Sequence, residues 1–264
     1  MATAAPTQSL PLFYSAIEPV NLRDHEKMKI RPALKMGDIG KTHAIPLTVD
    51  EFGLAQRYYP IVFSVGESPI PIVLMGLNDG VNAFMDADGR MLDSGVYLPA
   101  YIRRYPFLLA KLRPDSDDLS LCFDPTSEAV GEFEEGEPMF VDGKPSPAVD
   151  SILEFCEQFE AAGQRTQAFM EDLKAADLLM DGEVSIQPEG FAQPFIYRGF
   201  KMIDEEKLRN LRGDELRKYS QNGMLPLLYA HLFSLAQMRD VFGRQLKQGT
   251  APTQQVPQAA AADA

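Results

Sequence analysis

Apolar residues follow two different rhythms along the chain, and the change falls near residue 150. Before it they come in short runs broken by proline, glycine and acidic residues, the habit of strands. After it they recur every three or four residues, the habit of helices. Strands are predicted over residues 43–49, 59–65, 69–77 and 119–124, and residues 82–92 read as a hairpin turning at Asp88-Gly89. Pro46, Pro60, Pro69 and Pro71 assign these strands to edges, starts and bends rather than to one flat central sheet. Gly76, inside a strand pattern, marks a bulge or a close backbone approach. EFGLAQRY, residues 51–58, reads as a short helix capped by Asp50. The acidic stretch over residues 114–147 contains GEFEEGEPMFVDGKPSP, a loop or a second hairpin.

From Asp150 the series Ile152, Phe155, Cys156, Phe159, Phe169, Leu173 and Leu178 predicts one long helix, or two joined near Gly163. Residues 196–203 are strand-like. Asp204 caps a helix over residues 205–211, and Asp214 caps another that ends before Gly223. A final helix runs from about Leu225 to Leu246, with Pro226 in its first turn. The fold class is therefore α+β, with short antiparallel strands in the N-terminal half and helices in the C-terminal half. Residues 12–248 are expected to form a single domain, with a strand-rich part over 12–148 and a helical part over 149–248. The flanks 1–11 and 249–264 are mostly small and polar, with few bulky apolar side chains, and are expected to be disordered.

Charge narrows the function. The formal net charge is -13, so a phosphate backbone would be repelled and no nucleic-acid partner is expected. No apolar run approaches the length of a membrane span, and the N-terminus has no basic region ahead of an apolar one. No membrane insertion and a cytoplasmic location are the expectations. Cys122 and Cys156 stand alone and far apart, which fits reduced thiols better than a disulfide or zinc site. Nucleotide, flavin, zinc and non-haem iron signatures are missing, and no cofactor or metal is expected.

The densest chemistry lies in YLPAYIRRYPF, residues 97–107. Its prolines bracket a helix of one or two turns, with Tyr101, Ile102 and Tyr105 on one face. Arg103 and Arg104 then point about 100° apart. They allow two readings: a guanidinium clamp for a carboxylate, or a buried pair with an Asp or Glu of the chain itself. Tyr97, Tyr101, Arg103, Arg104 and Tyr105 form the first candidate binding surface, since Tyr and Arg dominate binding hot spots. His231, in YAHLFSL on the final helix, is either a satisfied core histidine or an acid–base group. Asp86, Asp88 and Gly89 echo a calcium loop, but Phe84 and Gly95 occupy its first and twelfth places, and a turn explains them.

These blocks together resemble the SapC family of bacterial proteins. The resemblance rests on YPIVF (59–63), LMGL (74–77), NAF (82–84), DG (88–89), YLPAYIRRYPF (97–107), LCFD (121–124), FKMIDEEKL (200–208) and LYAHLFSL (228–235). Met91 stands where the family often carries tryptophan. Members of the family are often encoded beside TonB-dependent receptors, flavin-dependent halogenase-like proteins and cupin-like proteins, and the family name comes from a surface-layer protein locus. The resemblance brings no catalytic residues with it. A large, aromatic-rich chain without a catalytic set, set beside that resemblance, leads to the expectation of a soluble accessory or binding protein acting with such a neighbour, with a protein partner or a small carboxylate or peptide ligand. The alternatives are an enzyme modifying such a ligand, with an arginine holding the carboxylate and His231 as acid or base, and a structural subunit linked to a surface layer.

Overall fold

Five short strands form the principal sheet in the order Leu179–Asp181, Lys201–Ile203, Ile61–Phe63, Pro71–Leu74 and Ala44–Pro46, all antiparallel. The computed structural model describes residues 10–32, 37–113, 118–191 and 193–251. The flanks expected to be disordered lie outside these residues except for 10–11 and 249–251. Ile61, Val62 and Phe63 are buried, as a strand with neighbours on both sides and cover on both faces must be. The prolines fit the ladder. Pro60 lies just ahead of the middle strand, Pro71 opens its neighbour, and Pro46 closes the edge strand. A three-stranded sheet orders Glu18–Pro19, Leu119–Phe123 and Phe107–Lys111, and a second joins Val130–Gly131, Lys29–Ile30 and Glu137–Pro138. Helix makes up 37% and strand 20%, an α+β architecture with short antiparallel strands in the first half and helices in the second.

Several expected elements are corrected. The stretch over residues 196–203 is two strands, Phe195–Tyr197 and Lys201–Ile203, in different sheets. The principal sheet thus draws two of its five strands from the C-terminal half. The hairpin over residues 82–92 reduces to a single bridge, Met85 to Met91, while Asp86 Oδ1 accepts from the Asp88 and Arg90 N–H groups across the turn. Thr48 rather than Asp50 begins the helical turn at Val49–Glu51, because Glu51 reaches back to Thr48 and Asp50 faces outward to Arg165. Arg212, not Asp214, is the N-cap of Gly213–Gln221. The final helix is two, Met224–Ser234 and Gln237–Gln248. At the break the Ser234 hydroxyl donates to the His231 carbonyl at 2.6 Å, and the Leu235 and Ala236 N–H groups bond three residues back, tightening the last turn.

Pro147–Ala175 is one continuous helix of 29 residues, N-capped by Ser146. It passes through Gly163 without interruption and lays Phe169, Met170 and Leu173 into the main core with Phe52, Tyr59 and Phe63. Met91 packs at the edge of that core. Among the described residues no helix is long and apolar enough to cross a membrane.

Gly76 marks a close approach. The His43 carbonyl accepts from both Met75 and Gly76 N–H, and a Cβ at Gly76 would collide with the Val81 carbonyl oxygen. Backbone cannot yield as a side-chain tip can. Gly76→Ala is expected to cost about 2–3 kcal/mol, read as a lower denaturant midpoint at unchanged slope.

Candidate functional site

The segment at residues 97–107 folds around a carboxylate that lies far from it in sequence. The helix Ala100–Arg103 begins behind Pro99, which has no side chain to cap it. Its first N–H, on Ala100, donates instead to Glu51 Oε1 at 2.6 Å. The Tyr97 hydroxyl donates to the same oxygen at 2.9 Å. Glu51 Oε2 accepts from the Thr48 N–H at 3.0 Å and the Thr48 hydroxyl at 2.8 Å. Glu51 is buried, and these four donors replace the water it gives up. Tyr59 adds a further tie, its hydroxyl donating to the Tyr97 carbonyl at 2.7 Å. Burial, with the Glu51 charge second, pushes the Tyr97 hydroxyl up to about 12. The Tyr105–Pro106 bond beyond the helix is cis.

The two arginines part company. Arg104 turns inward and is 8% exposed. Its guanidinium lies 4.5 Å from the Tyr101 ring centroid and 4.4 Å from that of Phe159, and its Nη1 is 3.6 Å from Glu160 Oε1 on the long helix. Burial raises the Glu160 carboxyl above its ordinary range, with Arg104 opposing. Arg104 thus fastens the short helix to the long one, and its Nε is buried with no hydrogen-bond partner among the described residues. Tyr101 contributes its ring to the same seam and donates its hydroxyl to the Leu12 carbonyl at 3.2 Å. Tyr105 packs edge-on against Tyr14.

Arg103 turns outward. Its Nη2 donates to the Tyr97 hydroxyl at 3.1 Å, and its guanidinium sits 5.5 Å from the Tyr97 ring centroid and 5.1 Å from that of Phe155. Among the described residues it has no carboxylate partner. An exposed guanidinium is therefore held on an aromatic platform, with Glu51 fixing the platform from beneath.

His231 shares none of these contacts. It is fully buried, its Nδ1 2.8 Å from the Ile61 carbonyl oxygen and its Nε2 accepting from the Ile203 N–H at 3.1 Å. The Ile203 donor fixes the proton on Nδ1. Both ring nitrogens are occupied by backbone, and burial pulls the imidazole down to about 4. Ser234 completes the arrangement by accepting from the Ile61 N–H at 2.8 Å. The structure gives His231 a place between two strands rather than beside the arginines.

Glu51 is the key residue that motif reading passed over. Its signal was legible as Thr48-x-x-Glu51, a capping-box spacing. Cys122 and Cys156 are both buried and free, and burial pushes the Cys156 thiol up to about 11, away from thiolate chemistry. Among the described residues no cluster of His, Cys, Asp and Glu could hold a metal. Compared with known families, residues 20–241 match the model of the SapC family. No curated protein and no solved structure matches the chain.

Proposed function

The chain belongs to the SapC family, and from that premise we propose that it is an accessory protein that docks a protein partner through the Arg103 platform. One observation carries this reading: Arg103 is exposed, lacks a carboxylate partner among the described residues, and is fixed by Tyr97 and Phe155. A pre-ordered guanidinium loses little freedom on binding and offers a planar fork to an oxyanion. The fitting partner group is an exposed Asp or Glu side chain or a C-terminal carboxylate. Candidate partners are the TonB-dependent receptors, halogenase-like proteins and cupin-like proteins that accompany the family. Two buried free thiols support work in the cytoplasm.

The test is pairwise binding between the purified full-length protein and each candidate partner. Binding to one of them, weakened about thirtyfold by Arg103→Ala and only partly by Arg103→Lys, is the expected result, the size being that of a hot-spot residue. Thermal midpoints of both variants should match the wild type, since Arg103 is exposed. Failure with every candidate, or full affinity in Arg103→Ala, overturns the reading.

A further inference from the structure

The helix Gln237–Gln248 turns positive charge onto a cleft whose basic residues all lie outside the family motifs, although Ala83 and Phe84 of the NAF block line it. Together with Arg57, Tyr58 and the segment around Phe84 it encloses about 570 Å³. The lining carries Arg57, Arg239, Arg244 and Lys247 against a single carboxylate, Asp240. The whole chain has 25 Lys and Arg to 38 Asp and Glu, so the cleft reverses the prevailing balance. Among the described residues Arg57, Arg239 and Lys247 form no ion pair, and Arg244 reaches Asp93 only at 4.0 Å.

Ordinary structural roles do not explain this convergence. Lys247 in the last helical turn is favoured by the helix dipole, but Arg239 lies in the first turn, where the dipole disfavours a cation. Gly243 shares the helix face with Arg239 and Lys247. A Cβ there would meet nothing within 4 Å, so packing does not demand glycine, and glycine weakens a helix interior. Its effect is to leave the cleft wall open. The frame is held firmly: Gln245 accepts from the Leu77 N–H at 2.9 Å and donates to Asn78 Oδ1 at 3.1 Å, and Gln248 donates to the Ala83 carbonyl at 3.1 Å. The Arg244 guanidinium is braced 4.4 Å from the Phe84 ring centroid.

We propose that this cleft binds a small phosphorylated molecule. Several cations drawn from separate segments match the tetrahedral oxygens of a phosphoryl group, which can be approached from several sides. A planar monocarboxylate is satisfied by one guanidinium fork. Tyr58 and Leu92 give the apolar part of the ligand a surface on the same cleft. The proposal is independent of docking at Arg103.

Calorimetric titration of the full-length protein with inorganic pyrophosphate tests it, with citrate as a carboxylate of comparable charge. Expected is saturable binding of one pyrophosphate, at least about tenfold tighter than citrate. Arg57→Ala combined with Arg239→Ala should weaken it about tenfold or more while leaving the ligand-free thermal midpoint unchanged. Gly243→Leu, which fills the wall without changing charge, should weaken it as well. No pyrophosphate binding, equal affinity for citrate, or wild-type affinity in the arginine double variant overturns the assignment.

Discussion

Replacing His231 by alanine is expected to destabilise the protein by about 3–5 kcal/mol, the largest effect of any single substitution considered. Phe63 pairs with Lys201, and two steps along the same antiparallel ladder Ile61 and Ile203 would bond to each other. They bond to the imidazole instead, Ile61 through its carbonyl and Ile203 through its N–H. Removing the ring leaves two buried backbone groups without partners and opens a cavity beside Phe63, and the two losses add. Acidity should act through the same ring. Its folded-state value near 4 lies below the ordinary 6.5, so the unfolded chain takes up the proton first. The stabilisation from the neutral ring is complete above about pH 6.5 and is lost as pH falls toward 4, by about 3 kcal/mol. Urea melts at pH 7.5, 5.5 and 4.5 read both effects. A cost under about 1 kcal/mol at pH 7.5, or a His231→Ala variant that keeps the wild-type slope with pH, would contradict the wedge role.

Glu51→Ala is expected to cost about 3–4 kcal/mol, and Glu51→Gln to recover little of it. Each carboxylate oxygen accepts two hydrogen bonds, and two of the four donors are backbone N–H groups that cannot reverse direction. A glutamine side chain has one oxygen, so its NH₂ must face an N–H on one side or the other. The loss is not confined to stability. Tyr97 would be released from its anchor, and Arg103 with it, so partner affinity should fall in Glu51→Gln although residue 51 is buried. Chemical denaturation and pairwise binding on the same preparations measure the two consequences. A Glu51→Gln variant of wild-type stability would remove Glu51 from its place beneath the platform.

What the sequence disclosed depended on how local the cause was. The switch of apolar period near residue 150 needs only neighbouring residues, and it led to the α+β class and the long helix. The angle between Arg103 and Arg104 follows from helical geometry alone. Which of them turns inward does not, because the choice is made by Phe159 and Glu160 on another element. Asp50 and Thr48 are both good capping types, and the decision came from Glu51 closing back on Thr48. The break after Ser234 has no proline or glycine to announce it, only a serine hydroxyl whose direction emerges in three dimensions. The basic cleft joins Arg57 to residues of the last helix, a distance in sequence over which no spacing rule operates.

The middle strand Ile61–Phe63 lies between Pro71–Leu74 and Lys201–Ile203. During synthesis its first neighbour emerges almost at once, and its second only some 140 residues later. Until then one flank of a wholly apolar strand offers unsatisfied amides to any extended chain nearby, a setting for intermolecular pairing. The ribosome-bound intermediate therefore carries its greatest aggregation hazard in the N-terminal half, and the hazard ends only when the helix bearing His231 arrives to seal the seam.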